Sequence, residues 1–236
     1  NVSAPTSPDW LTFTPGATGS GTGILSGTPT NDDVGVHDVT IRVNDGTVDV
    51  DQVFQITVNN ENDPPTFTSI PVLTATQDVA YSYTAVAEDI DGNTLVYTAP
   101  VLPTWLTFTA ATQVLSGTPA NDDVGDTTVT IRVFDGTVSV NQAFFIEVAD
   151  VNDAPTFSSS PIISTSQGAL YEYTASALDI DVDDVLTFTA PVLPGWMTFD
   201  EATQVLSGTP GNDEVGDHDV TLTVSDGLLS EGQIFV

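Results

Sequence analysis

Apolar and polar positions alternate along much of the chain. In residues 127–135, Val129, Ile131 and Val133 fall on one face of an extended segment. The same two-residue period recurs in the middle of the sequence, in 79–87, 95–99 and 142–150. The stretch 66–76 is also rich in Thr, Val, Ile and Phe, and predicts a first strand. "WLTFTAATQVLSGTP" at 105–119 predicts a hairpin or an irregular stretch. Gly, Asp, Asn and Pro separate these runs, and no helical period of useful length appears. The pattern predicts an all-β chain of short antiparallel strands in two packed sheets.

The pattern is written three times. "LSGTP" ends at Pro29, Pro119 and Pro210, about 90 residues apart. "WLTF", "WLTF" and "WMTF" begin at Trp10, Trp105 and Trp196, and "NDDVG", "NDDVG" and "NDEVG" at Asn31, Asn121 and Asn212. A period of that length suits one sandwich domain per copy rather than a solenoid repeat. The expected domains are residues 1–60, 61–152 and 153–236. The first copy reads as starting just before Trp10, without its first two strands, and the third as stopping inside its last strand. The chain therefore reads as a stretch of a longer array.

Composition changes this picture in one respect. Of 236 residues, 33 are Asp or Glu and only Arg42 and Arg132 are basic, so the formal net charge is −31. Such a surface repels nucleic acid and anionic lipid, and attracts cations. The hydrophobic fraction of 40% argues against disorder, and no apolar run is long enough for membrane insertion. With no cysteine, disulfides cannot hold the domains together; core packing and metal are the remaining means.

The ordered set "LPTWLTF…LSGTP…NDDVG…VTIRVFDGT…ADVNDAP" resembles the cadherin-like, immunoglobulin-type repeats of bacterial surface proteins, of the dystroglycan type. The resemblance covers essentially the whole chain. It implies tandem β-sandwiches in extracellular adhesins or multidomain exported enzymes, with calcium at some domain junctions.

Tracing the strands up and down such a sandwich gathers three groups at each junction. The turn before the sixth strand lies beside the exit linker, and the next domain offers its second-to-third and sixth-to-seventh strand turns. The first set is Asp32 and Asp33, then Asn60, Glu61, Asn62 and Asp63, then Asp89, Asp91 and Asp135. The second is Asp122 and Asp123, then Asp150, Asn152 and Asp153, then Asp179, Asp181 and Asp226. Each set holds seven carboxylates and no Lys or Arg. A hard divalent cation offsets their repulsion, and Ca2+ tolerates irregular oxygen geometry where magnesium does not. The cadherin linker Asp-x-Asn-Asp-x-x-Pro is similar to residues 150–155, with proline one place early; in the first linker Asn60 stands where the leading Asp would be. The cadherin Asp-Arg-Glu turn is absent, and "NDD" would have to replace it. Asn, Asp and Pro are also ordinary turn formers, which is the plainer reading of the same residues.

An enzyme is the second class considered. The acids recur in the turns of every copy, as scaffold features do, and no Ser–His–Asp or metal-hydrolase spacing appears. The chain is read as non-enzymatic. His37 and His218 sit at equivalent places, where the middle copy has Thr127, and are expected to face solvent. A carbohydrate-binding module of a secreted polysaccharide-active protein is the stronger rival, because Trp10, Trp105 and Trp196 could stack on sugars. A tryptophan lid over each core is the alternative for the same residues. The reading is an extracellular spacer or filament-forming array, partnered by its own neighbouring repeats, identical chains or a cell-surface glycan.

Overall fold

The computed structural model describes residues 1–236. It contains strands, three short 3-10 turns and no α-helix, so the chain is all-β. Two compact units divide it. One comprises Asn1–Val72, Ser82–Ser116 and Thr128–Phe145; the other comprises Leu73–Tyr81, Gly117–Thr127 and Ile146–Val236. The division runs through the middle repeat rather than along a linker. Each of the two acidic linkers therefore lies wholly inside one unit.

In the first unit, Gly35–Asn44 pairs antiparallel with Asp49–Val58 in unbroken register from Gly35↔Val58 to Asn44↔Asp49. Val2–Thr6 pairs on its other edge, with Ser3 opposite Arg42. A strand thus precedes Trp10, where the sequence pattern alone placed the start of the copy; with Val2 and Ala4 as its apolar positions, "VSAPT" gives too short an alternation to read. Leu11–Pro15 and Gly23–Gly27 form a hairpin. In the middle copy, Val96–Val101 pairs with Gly125–Phe134 as Val2–Thr6 does with Gly35–Asn44. Both pairings slip in register across Pro5 and Pro100, and Pro191 marks the same slip in the third copy. Proline offers no N–H to the ladder, so the pairing breaks there.

The expected first strand of the middle copy is broken. Thr66–Phe67 pairs antiparallel with Ala87–Glu88 in the first unit. In the second unit, Thr74–Thr76 pairs with Glu147–Ala149 and runs parallel to it. The intervening "TSIPVL" contains Pro71, which a continuous central strand excludes. One parallel pairing thus enters an otherwise antiparallel arrangement.

The second unit contains the whole third copy. One sheet orders Tyr171–Thr174, Val205–Gly208 and Met197–Asp200; the other orders Thr187–Val192, Val220–Ser225 and Ser230–Phe235. Tyr171, Tyr173 and Leu206 from the first meet Phe188, Val220, Leu222, Val224 and Phe235 from the second. In the middle copy, Val129, Ile131 and Val133 are fully buried, as their alternation predicts. Tyr173 Oη donates to Gln233 Oε1 at 2.8 Å, and Gln233 Nε2 donates to Ser159 O at 2.8 Å. Tyr83, Gln142 and Ser69 repeat these contacts in the first unit. The buried phenols of Tyr83 and Tyr173 therefore each have a polar partner.

Candidate cation sites at the acidic linkers

Two turns and one linker build each site. In the first unit, Asp89 Oδ1 accepts from the N–H groups of Asp91 (3.0 Å) and Asn93 (3.2 Å). This Asx geometry curls the Asp-x-Asp segment and leaves the other oxygen of Asp89 facing inward. Asp135 Oδ1 closes its hairpin turn by accepting from Thr137 and Val138 N–H, both at 2.6 Å, beside Gly136 at φ 104°. Its Oδ2 accepts from Asn62 Nδ2 at 3.0 Å, and Asp63 N–H donates to Asp91 Oδ2 at 2.7 Å. The linker is thereby pinned to both turns.

The second unit repeats the construction. Asp181 N–H donates to Asp179 Oδ1 at 3.0 Å, and Asp153 N–H donates to Asp181 Oδ2 at 2.7 Å. Asn152 Nδ2 donates to Asp226 Oδ2 at 2.9 Å, while Asp226 Oδ1 accepts from Leu228 and Leu229 N–H at 2.6 Å. Asp179, Asp184 and Asp226 each present a carboxylate oxygen, and these atoms lie within 4.8 Å of one another.

The electrostatics follow from this crowding. Burial and the charges of Asp179, Asp226, Asp181 and Asp150 push the Asp184 carboxyl above its ordinary range. The Asn62 amide, with the Val138 and Thr137 N–H groups, holds Asp135 below it. For Asp226, burial pushes upward, but the Asn152 amide and the Leu229 and Leu228 N–H groups outweigh it and lower the pKa. No cationic side chain relieves the clusters. Arg42 makes two bonds to Asp51, at 2.7 and 2.8 Å, and Arg132 Nε donates to Asn141 Oδ1.

The donor set fits a hard divalent cation. Asp89 Oδ2, Asp91 Oδ1, Asp179 Oδ2 and Asp181 Oδ1 are buried and have no hydrogen-bond partner. The same two atoms of the Asp-x-Asp turn are orphaned at both sites. Buried polar atoms are ordinarily satisfied, so such oxygens suit an oxygen-seeking ion rather than a turn that is complete by itself.

The remaining candidates lie elsewhere in these neighbourhoods. Asp33 Oδ2 accepts from Thr30 N–H at 2.8 Å and Asp123 Oδ2 from Ala120 N–H at 3.0 Å, so both carboxylates cap their own 3-10 turns. Asp32, Asp122, Asn60, Glu61 and Asp150 are exposed. From the "NDD" turns it is asparagine that reaches the linker region: Asn31 Nδ2 donates to Asp63 Oδ2 at 2.8 Å, and Asn121 Nδ2 to Ile180 O at 2.9 Å. Asp184 lies outside the Asp-x-Asp pair, and alternation alone did not bring it in. The loop of the third copy is one residue longer than that of the middle copy, which carries Asp184 to the place of Asn93, four residues before the buried Phe188 and Tyr97. Asn93 Nδ2 donates to Asn62 Oδ1 at 3.2 Å, so the first site has an amide where the second has a carboxylate.

The histidines do not face solvent as the strand pattern suggested. His37 Nε2 is hydrogen-bonded to Asp33 O, and His218 Nε2 to Glu214 O at 2.7 Å, and both are half-buried. Each ring stands edge-on to a tryptophan, His37 to Trp10 and His218 to Trp196, at 5.9 Å. The 3-10 turn reverses the chain onto the tryptophan, a contact that strand alternation cannot show. Trp10, Trp105 and Trp196 are half-buried, and Tyr171 also meets Trp196 edge-on.

Repeated two-sheet domains with acid-lined turns at the linkers define a tandem immunoglobulin-like protein of cadherin-like fold. The sequence matches the family described as "Putative Ig domain" over residues 1–59, 64–149 and 154–236, and the chain belongs to that family. No curated protein matches it. Among solved structures it is similar to protocadherin gamma B7 extracellular cadherin domains 1–4, at 15% identity and a TM-score of 0.52, covering 100% of this chain and 66% of that one. It is similar to protocadherin gamma B2 domains 3–6 at 16% identity and a TM-score of 0.50, covering 99% and 67%. The endo-fucoidan hydrolase MfFcnA4 of glycoside hydrolase family 107 matches at 27% identity with a TM-score of 0.38; the alignment covers 100% of this chain and 38% of the length of that chain. No helix is long and apolar enough to cross a membrane.

Proposed function

We propose that the chain is a calcium-stiffened array, a spacer or filament-forming segment of a larger bacterial surface or secreted protein. Its work is structural or adhesive rather than catalytic, and its partners are the neighbouring repeats of the same protein. The observation that carries this reading is the repeated pair of orphaned buried oxygens, Asp89 Oδ2 with Asp91 Oδ1 and Asp179 Oδ2 with Asp181 Oδ1. Calcium would be held by Asp89, Asp91 and Asp135 with linker oxygens in the first unit, and by Asp179, Asp181, Asp184 and Asp226 with linker oxygens in the second. The bound ion supplies positive charge that lets these acids share one space. The linker is already pinned to both turns by Asn62 and Asp63, or Asn152 and Asp153, so an ion there resists bending of the linker.

The carbohydrate reading rests on the three tryptophans. Their half-burial, and the edge-on packing of Trp10 and Trp196, favour a role as lids over the cores. Titration calorimetry and thermal melting in calcium and in chelator, at matched ionic strength, test the proposal. A ligand at 100 times its Kd stabilises by about 2.7 kcal/mol per independent site. Calcium uptake with a raised Tm is expected; equal melting and no heat of binding would overturn it.

A further inference from the structure

Gln77 is the most deeply buried polar residue of the chain, 2% exposed, and its backbone N–H and both ends of its side-chain amide are bonded at the second linker. Its backbone N–H donates to Ala149 O at 3.0 Å. Its Nε2 donates to Asp153 Oδ2 at 2.8 Å, and its Oε1 accepts from Val151 N–H at 3.2 Å. The next residue, Asp78, has φ 59° and donates its N–H to Pro119 O at 2.9 Å, which fixes the turn that aims the side chain.

We propose that Gln77 is a positioning residue that locks the 149–153 linker in its site-forming conformation before any cation binds. The chemistry selects a carboxamide. One end must donate to a carboxylate and the other must accept from a backbone N–H. A carboxylate there would repel Asp153, and an ammonium or guanidinium would leave Val151 N–H without an acceptor. The lock reaches the candidate cation site through one residue. Asp153 receives Gln77 on its carboxylate and gives its own N–H to Asp181 Oδ2, while Asp181 Oδ1 is one of the orphaned oxygens. The segment carrying Gln77 thus sets where Asp181 is held without touching the ion. At the first linker the corresponding aspartate, Asp63, takes its amide from the half-buried turn residue Asn31 instead. The two linkers are therefore held by different means, and the second has the buried one.

The effect on cation affinity rests on the calcium reading above; the effect on the linker does not. The chain has no cysteine, so Glu147→Cys and Glu172→Cys, both at exposed positions, allow spin labels on either side of the second linker. Distance distributions by pulsed electron resonance should be narrow in the parent protein with chelator and narrower still with calcium chloride. Gln77→Ala should broaden the distribution in chelator and weaken calcium binding at that site about tenfold, with the number of ions unchanged. Gln77→Glu, nearly isosteric, should broaden it in chelator even if the alanine variant fails to fold. Gln167→Ala, at the matching but exposed position of the third copy, should match the parent. Distributions for Gln77→Ala and Gln77→Glu as narrow as the parent in chelator would overturn the proposal. A parent that binds no calcium, with broadening still caused by Gln77→Ala, would uphold the lock while removing the calcium reading.

Discussion

Asp153 donates its backbone N–H to Asp181 Oδ2 at 2.7 Å, which ties the linker to the Asp-x-Asp turn of the third copy. Asp181 Oδ1 is left buried and without a partner. Asp181→Asn should therefore weaken calcium binding at the second site by at least tenfold, about 1.4 kcal/mol. Titration calorimetry of the full chain checks this, and an unchanged Kd would remove Asp181 from the ligand set.

Asp184 lies outside the Asp-x-Asp pair and outside the set that strand tracing gathers, yet it crowds Asp179 and Asp226. Asp184→Asn should weaken calcium binding and, in chelator, raise Tm, because it removes a like charge that nothing offsets there. The opposite signs in the two conditions are the diagnostic. Asn93→Asp in the middle copy should bring the first site closer to the second.

The two sites should respond unequally to chelation. The second has Asp150 and Asp184 where the first has Asn60 and Asn93. Calcium titrated into the full chain and followed by amide spectra should shift resonances of 179–184 and 226–229 at lower concentration than those of 89–93 and 135–138. The reverse order would contradict the charge argument.

Leu206 is fully buried in the third copy, between Tyr173 on the neighbouring strand and the facing sheet. Leu206→Ala should cost about 2–5 kcal/mol of stability. Denaturant melting should show the loss in the transition of the third copy, with the calcium sites' stoichiometry retained.

Asp45 supplies a pH test away from the linkers. The Val48 and Thr47 N–H groups and the Thr47 hydroxyl lower its carboxyl to about 2. A depressed acid stabilises the fold above its unfolded pKa, and that contribution is lost as pH falls through its folded pKa. Carbon chemical shifts of Asp45 should titrate near about 2, and Asp45→Asn should flatten the acid limb of the melting curve.

Residues 1–58 expressed alone should be unfolded or aggregate, whereas 65–152 should melt cooperatively. The first copy has a single fully buried apolar residue, Val39, while the middle copy buries Leu115, Val129, Ile131, Val133 and Ile146 completely. Analytical ultracentrifugation and circular dichroism decide; a monomeric, cooperative 1–58 would refute it.

What the sequence by itself determined is what depends on local period and repetition. Alternation placed Val129, Ile131 and Val133 on a buried face, because a strand turns successive side chains to opposite sides. Three copies of one motif set fixed the all-β class, and the linker acids pointed to cations through charge alone. The tertiary structure decided what depends on loop length and on distant partners. One added residue moves Asp184 into the site, and Pro71 diverts the first strand of the middle copy into parallel pairing with Glu147–Ala149. The "NDD" carboxylates Asp33 and Asp123 are drawn back onto their own turns because a 3-10 turn offers them a nearby N–H. Gln77 carries no signal in the chain at all: a single glutamine in "TATQD" gains its meaning only when Val151 and Asp153 fold against both ends of its amide.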